Sequence, residues 1–253
     1  MIIYGIHPVL EALRARRVKE LRVGTGGPGV NRKDAASGRG RKMNDRLQQV
    51  MDLADEQGVT IRRVPPATLD RDSKRGVHQG VVAEVTQVEW YGLESLVRAS
   101  ATPLIVVLDG IEDPHNLGAI LRTADAAGVD GVIVQSRRSA ALGGAAAKAS
   151  AGAVAHVKVA EVVNIARAIE ELKDLGVWTV GLAGEATTAY DAIDFTLPTA
   201  LVLGAEETGL RRLIRERCDH LAAIPMLGYV RSLNVSVAAG ITLFEAVRQR
   251  RAR

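Results

Sequence analysis

The chain has one cysteine, Cys218, in 253 residues. No disulfide can form within it, and a reducing compartment, the cytoplasm, is the expected setting. Aromatic residues make up only 3%, too few for a platform on which successive single-stranded bases would stack. No apolar run approaches the roughly 18 residues that cross a bilayer, so no membrane association is expected. Met1-Ile2-Ile3-Tyr4-Gly5 carries no basic segment followed by an apolar one, so no secretory leader is expected. The five histidines are scattered. With a single cysteine they give none of the usual ligand spacings, and no metal is expected.

What is present is ordinary for a folded protein: 47% hydrophobic and 25% charged residues, with a net charge of +4. The length allows one large domain or two modest ones. The positive charge is unevenly placed. Arg14, Arg16, Arg17, Lys19, Arg22, Arg32, Lys33, Arg39, Arg41, Lys42 and Arg46 face only Glu20, Asp34 and Asp45 over the same stretch. A basic N-terminal third suits a polyanion, though a solvated loop would carry the same charges. If nucleic acid binds here, phosphate contacts and shape should dominate. Arg14, Arg17, Arg39, Arg41 and Lys42 are the candidate contacts.

Periodicity predicts a small α/β unit first. Ile2–Tyr4, Leu21–Val23, Val59–Val64 and Val81–Val88 read as strands, and helices are expected from Pro8 to about Arg16 and from Asn44 to Gln57. Gly24 to Lys42 breaks all periodicity and reads as a long mobile loop, and Pro65-Pro66 opens a second irregular stretch. From Leu104 onward strands and helices alternate. Leu104–Leu108 is a continuous apolar run, the mark of a strand buried on both faces. Helices at Leu117–Ala127, Ala140–Ala151, Ile165–Leu175, Leu210–Arg217 and Asn234–Arg250 separate strands at Val132–Val134, Ala155–Val159, Val177–Leu182, Ala200–Leu203 and Leu221–Ile224. The fold class is α/β, with a mostly parallel sheet. The expected division is 1–75, a linker at 76–100, and 101–253. Gly24-Thr25-Gly26-Gly27-Pro28-Gly29 matches the dinucleotide-binding glycine pattern by letter. The residues after it offer no apolar helical face, so an ordinary nucleotide-dependent enzyme is disfavoured.

Three segments of the second half can carry chemistry. Asp109 to Asp125 follows the buried strand and contains Asn116 and Arg122. Ligands of open α/β sheets bind beyond the carboxyl ends of strands. By spacing alone Asn116 also reads as a helix N-cap and Arg122 as a surface residue. Leu203-Gly204-Ala205-Glu206-Glu207-Thr208-Gly209 runs a strand into a glycine-bounded turn, where a ligand can approach backbone amides. Ile224-Pro225-Met226 and Ser232-Leu233-Asn234-Val235-Ser236-Val237 precede an apolar helix, with Asn234 as a possible cap.

In this order the three segments resemble the motifs of the SpoU/TrmH family of RNA ribose methyltransferases, in the SPOUT class. Tyr4-Gly5-Ile6-His7-Pro8-Val9, Val77-His78-Gln79-Gly80 and Leu243–Arg250 are similar to the bacterial 23S rRNA guanosine 2′-O-methyltransferase branch. Glu207 stands where the family often has glycine. The resemblance implies an L30e-like N-terminal domain for RNA capture and a methyltransferase domain with a C-terminal trefoil knot. It further implies S-adenosylmethionine as methyl donor, held at Leu203, Gly204, Ile224, Met226 and Leu233. Asn116, Arg122, Glu206, Ser232 and Asn234 would line the reaction site. It implies 23S rRNA as partner and a homodimer. The last helix, with Val235, Val237, Ala238, Ile241 and Phe244, offers an apolar face for that dimer, and Gly240 would permit close approach. Ribose methylation of tRNA or of another rRNA site, or a non-catalytic RNA-binding relative, are the competing expectations.

Overall fold

A computed structural model describes residues 1–25, 38–86, 89–136, 146, 149, 150 and 152–252, with backbone alone over 38–43. The chain forms two compact units. The first comprises Met1–Val88 with Leu142–His156, and the second Glu89–Ala141 with Val157–Arg253.

The first unit is built on strands β1 (Ile2–Tyr4), β2 (Val18–Gly24), β3 (Thr60–Val64) and β4 (Val81–Val85), in the order β1-β4-β2-β3. β4 runs antiparallel to both β1 and β2, and β2 pairs parallel with β3. Helix α1 (Ile6–Arg14) buries Ile6, Val9, Leu10 and Leu13, the i, i+3, i+4, i+7 face of an amphipathic helix. Helix α2 (Gly38–Glu56) buries Leu47, Val50 and Ala54. It starts six residues before the expected Asn44, so Arg39, Arg41 and Lys42 stand on a helix and not in a mobile loop. Arg and Lys are good helix formers, and packing further along α2 outweighs the two glycines. Helix α3 (Pro66–Asp72) occupies a stretch read as irregular. Proline is suited to the first helical turn, where its missing N–H costs nothing.

The second unit holds a six-stranded, wholly parallel sheet. Its strands are β5 (Leu104–Asp109), β6 (Gly131–Gln135), β7 (Val159–Val162), β8 (Trp178–Leu182), β9 (Thr199–Gly204) and β10 (His220–Ala222), in the order β10-β8-β9-β5-β6-β7. Helices α4 (Leu93–Val97), α5 (Pro114–Ala126), α6 (Ile165–Asp174), α7 (Arg212–Arg217) and α8 (Val235–Arg251) complete it. Every residue of β5 is buried, which accounts for its unbroken apolar run. The strand expected at Ala155–Val159 lies instead at Val159–Val162, after a 3-10 turn at Ala153–Ala155. A short apolar run fixes an element but not its register. The helix expected at Ala140–Ala151 falls largely outside the described residues.

The strand order places the site. From β5 the chain moves outward to β6 and β7. It then returns to β8 and β9 on the other side of β5. The loops after β5 and β9 therefore diverge at adjacent strand ends, the switch point at which parallel sheets open a crevice. Helix α8 packs on α5 and buries Ala239, Thr242, Leu243 and Ala246. Gly240 lies over Thr123 of α5 in the same chain. A Cβ at Gly240 would stand 3.8 Å from the Thr123 side chain, an ordinary van der Waals contact. Among the described residues, no helix is long and apolar enough to cross a membrane.

Candidate active site

Strand β9 ends at Gly204 and the chain folds straight back on itself. The amide of Gly209 donates to the carbonyl of Ala205 at 2.8 Å, and Gly209 adopts φ +64°, a left-handed conformation that glycine takes without steric cost. A Cβ at Gly204 would collide with the backbone of Gly209 and Leu210. Nothing larger than glycine closes this turn.

The turn forms one wall of a cavity of about 340 Å³ at the carboxyl ends of β8, β9 and β10. That volume lies in the range of small-molecule sites. Leu203, Gly204, Ile224, Met226 and Leu233 all line it, as do Glu206 and Ser232. The sequence reading missed a further wall, Leu182-Ala183-Gly184-Glu185. Its signal was available, because this loop too leaves the carboxyl end of a parallel strand. A glycine cradle, strand-end backbone groups and polar side chains at the rim fit an adenosine-bearing methyl donor.

At the rim the three motif segments meet. The N-cap of α5 is Asp113, whose Oδ1 accepts from the amide of His115 at 2.9 Å. The reading of Asn116 as a plain N-cap is thereby overturned, and its side chain is free to reach across the site. Asn116 Nδ2 donates to Glu206 Oε1 at 2.8 Å. Asn234 Nδ2 donates to Asn116 Oδ1 at 2.9 Å. Asn234 does cap α8: its Oδ1 accepts from the Ser236 amide at 2.8 Å and from the Ser236 hydroxyl at 2.6 Å. Residues 90 and 118 positions apart in sequence so form one chain of hydrogen bonds.

Arg122 stands on α5, exposed, with no hydrogen bond or ion pair among the described residues. Six residues along a helix place it about 9 Å from Asn116 along the axis and about 120° around it. It is a cation without a partner among the described residues and does not join the Asn116–Glu206–Asn234 chain. Ser232 and Glu207 are exposed on the cavity lining.

Beneath this site lies a network the sequence reading missed. The side chain of Asp109, the last residue of β5, is wholly buried. Its Oδ1 accepts from Arg211 Nε at 2.7 Å and also from Nη2, and its Oδ2 accepts from the Arg211 amide at 3.2 Å. Arg211 Nη2 reaches Gln135 Oε1 at 3.1 Å. One guanidinium therefore ties the ends of β5 and β6 to the residue that follows the Gly204–Leu210 turn. The available signal was a carboxylate ending an otherwise apolar strand, which a buried sheet tolerates only with a partner.

The basic N-terminal residues divide by environment. Arg14 is exposed and pairs with Glu11 at 2.6 Å. Arg17 is half-buried, and its Nη1 donates to the carbonyls of Val154 and Ala155, both at 3.2 Å. It holds this unit together, which its sequence position did not reveal. The side chains of Arg39, Arg41 and Lys42 lie outside the described residues. Arg22 is enclosed by Glu20 at 2.8 Å, Asp72 at 2.7 Å and Glu84 at 3.4 Å. The hydrogen bonds it donates to Glu20 and Asp72 raise its pKa, and Arg22 in turn holds the Asp72 carboxyl below the usual range. Lys74 and Arg75, not singled out from sequence, are exposed, left-handed in φ and unpaired among the described residues.

Comparison with known proteins agrees with this geometry. Residues 103–244 match the model of the SpoU rRNA Methylase family, and residues 36–91 match that of RNA 2′-O ribose methyltransferase substrate binding. The 23S rRNA (guanosine-2′-O-)-methyltransferase RlmB of Pseudomonas syringae pv. tomato is 44% identical over 257 residues, covering 99% of this chain and 96% of that protein. The putative TrmH family tRNA/rRNA methyltransferase YacO of Bacillus subtilis is 46% identical over 80% of this chain and 83% of its own. Among solved structures, an AdoMet-bound rRNA methyltransferase from Sinorhizobium meliloti superposes with a TM-score of 0.75 at 27% identity, covering 98% of this chain and 86% of that one.

Proposed function

The chain belongs to the SpoU rRNA methylase family, and from that premise we propose that it methylates a guanosine ribose 2′-hydroxyl of 23S ribosomal RNA, with S-adenosylmethionine as methyl donor. One observation carries the reading: Asn116, Glu206 and Asn234, from three separate segments of the chain, are hydrogen-bonded together at a glycine-walled cavity. Near full-length similarity to 23S rRNA guanosine methyltransferases supports the choice of substrate.

The donor, when bound, supplies a methyl group on a cationic sulfur. The residues of this chain do the rest by position. Backbone groups at Leu203, Gly204, Ile224, Met226 and Leu233 hold the donor where the loops after β8, β9 and β10 converge. Asn116, Glu206, Ser232 and Asn234 bring polar atoms to the rim, where the ribose must lie in line with the methyl group. Arg122, six residues after Asn116 on α5, is a guanidinium unpaired among the described residues. A guanidinium makes paired hydrogen bonds to phosphate, so it orients the RNA backbone.

In this reading the N-terminal unit captures RNA, with Arg14, Arg39, Arg41 and Lys42 as phosphate contacts, and the second unit performs the transfer. The protein acts as a homodimer in the cytoplasm. Val237 and Phe244 remain about half exposed on α8, an apolar stripe that a second copy would cover. Purified protein, labelled methyl donor and 23S rRNA transcript test the proposal. Label should appear as 2′-O-methylguanosine, and Arg122→Ala should remove it while donor affinity stays near wild type. Label in tRNA alone would move the assignment to the tRNA-modifying relatives.

A further inference from the structure

The hydrogen bonds at the rim have a polarity that one peptide group decides. The backbone N–H of Ser236 can only donate, so the atom of Asn234 that meets it at 2.8 Å is an oxygen. The other end of that amide, Nδ2, must then point at Asn116 and donate. Only an oxygen of Asn116 can receive it, at 2.9 Å. Asn116 Nδ2 is thereby turned to Glu206 and requires an acceptor, which Oε1 provides at 2.8 Å. One carboxylate oxygen is thus used and oriented. The other, Oε2, makes no hydrogen bond among the described residues, and Glu206 is exposed and lines the cavity.

The neighbouring groups are poorer proton acceptors. Arg122 is a cation with no acceptor atom. Both amides are already committed through their oxygens. Glu207 carries a second carboxylate, but no side chain holds it in place among the described residues.

Building on the methyltransferase reading, we infer that Glu206 Oε2 takes the 2′-hydroxyl proton, and that Asn116 and Asn234 are positioning residues which aim that oxygen. In the transfer the ribose O–H bond breaks and its proton passes to Oε2. The oxygen's electron pair forms the bond to the methyl carbon, and the pair of the breaking methyl–sulfur bond stays on sulfur, which becomes a neutral thioether.

The test reverses the polarity without removing the cap. Asp caps a helix as well as Asn does, so Asn234→Asp keeps the bond to Ser236. Its second oxygen now faces Asn116, whose amide must turn and present an oxygen to Glu206. Four proteins are compared: wild type, Asn234→Asp, Glu206→Gln and the double variant. Each is measured by methyl transfer to RNA and by melting of the protein without donor. Glu206→Gln keeps the acceptor for Asn116 but loses the base. We expect kcat to fall about 100-fold to 10,000-fold with unchanged KM for the donor and unchanged melting temperature. Asn234→Asp should lose activity to a similar degree and also melt lower. In the double variant the side-chain amide introduced by Glu206→Gln donates to the turned Asn116, so the melting temperature should recover while transfer stays lost. A Glu206→Gln enzyme within tenfold of wild-type kcat overturns the inference, as does a double variant that melts no higher than Asn234→Asp. If wild type transfers no methyl group to ribose, the methyltransferase reading fails, and the melting comparison still decides the polarity.

Discussion

Removing Arg211 and removing Asp109 should have unequal effects, although the two residues form one ion pair. The Asp109 side chain is wholly buried, whereas that of Arg211 is 43% exposed. Arg211→Ala leaves a carboxylate under the sheet with no cation, a loss of about 3–5 kcal/mol for a buried pair broken on one side. For a unit of this size that corresponds to a fall in melting temperature of roughly 6–20 °C. Asp109→Asn removes the charge that must be buried. It leaves an oxygen for Arg211 to bond, and the guanidinium can turn to water, so the cost should be about 1–2 kcal/mol. Adding Asp109→Asn to Arg211→Ala should therefore restore part of the lost stability. Donor affinity adds a second readout, because Arg211 anchors the residue after the Gly204–Leu210 turn. Calorimetric titration should show weaker donor binding in Arg211→Ala and near-normal binding in Asp109→Asn. Thermal unfolding in which the double variant is less stable than Arg211→Ala alone would refute this reasoning.

Two further outcomes follow from local geometry. Gly204→Ala forces a methyl group into the backbone of Gly209 and Leu210, at a cost of about 1–3 kcal/mol. Donor binding should weaken by more than about tenfold, read by equilibrium titration, because that energy acts on the cavity wall. Arg22 holds the Asp72 carboxyl below its usual pKa, so the pair stabilises the fold fully above the ordinary carboxylate value of about 3.9 and loses that effect as the pH falls through the folded value. Asp72→Asn should accordingly melt below wild type at pH 6. The difference should close as both proteins are titrated toward pH 2, and a gap that stays constant would exclude the ion pair as its source.

The sequence was most informative where burial is complete. The apolar run at Leu104–Leu108 has the length and composition of a two-sided strand, and the strand–helix alternation after it points to a parallel sheet. It was least informative where the backbone alone decides. Pro66 looked like a breaker and begins α3, since a first-turn proline leaves no missing bond to detect. The meeting of Asn116, Glu206 and Asn234 could not be read from spacing, because it depends on β5 and β9 being neighbours in the sheet. The family motifs named these residues. Their order of donation follows from the single amide of Ser236, which no sequence pattern shows. Arg17 and Arg14 look alike in a basic stretch, and only the carbonyls of Val154 and Ala155 separate them.

The central claim is that the oxygen methylated is a ribose 2′-hydroxyl. Its most direct test is digestion of 23S rRNA after incubation with the protein and isotopically labelled S-adenosylmethionine, followed by mass spectrometry of the nucleosides. A 2′-O-methyl group protects the adjacent phosphodiester from alkali, because the attacking hydroxyl is gone. The account predicts the label in an alkali-stable dinucleotide that yields 2′-O-methylguanosine. Label on a base, released as an alkali-labile mononucleotide, would contradict it.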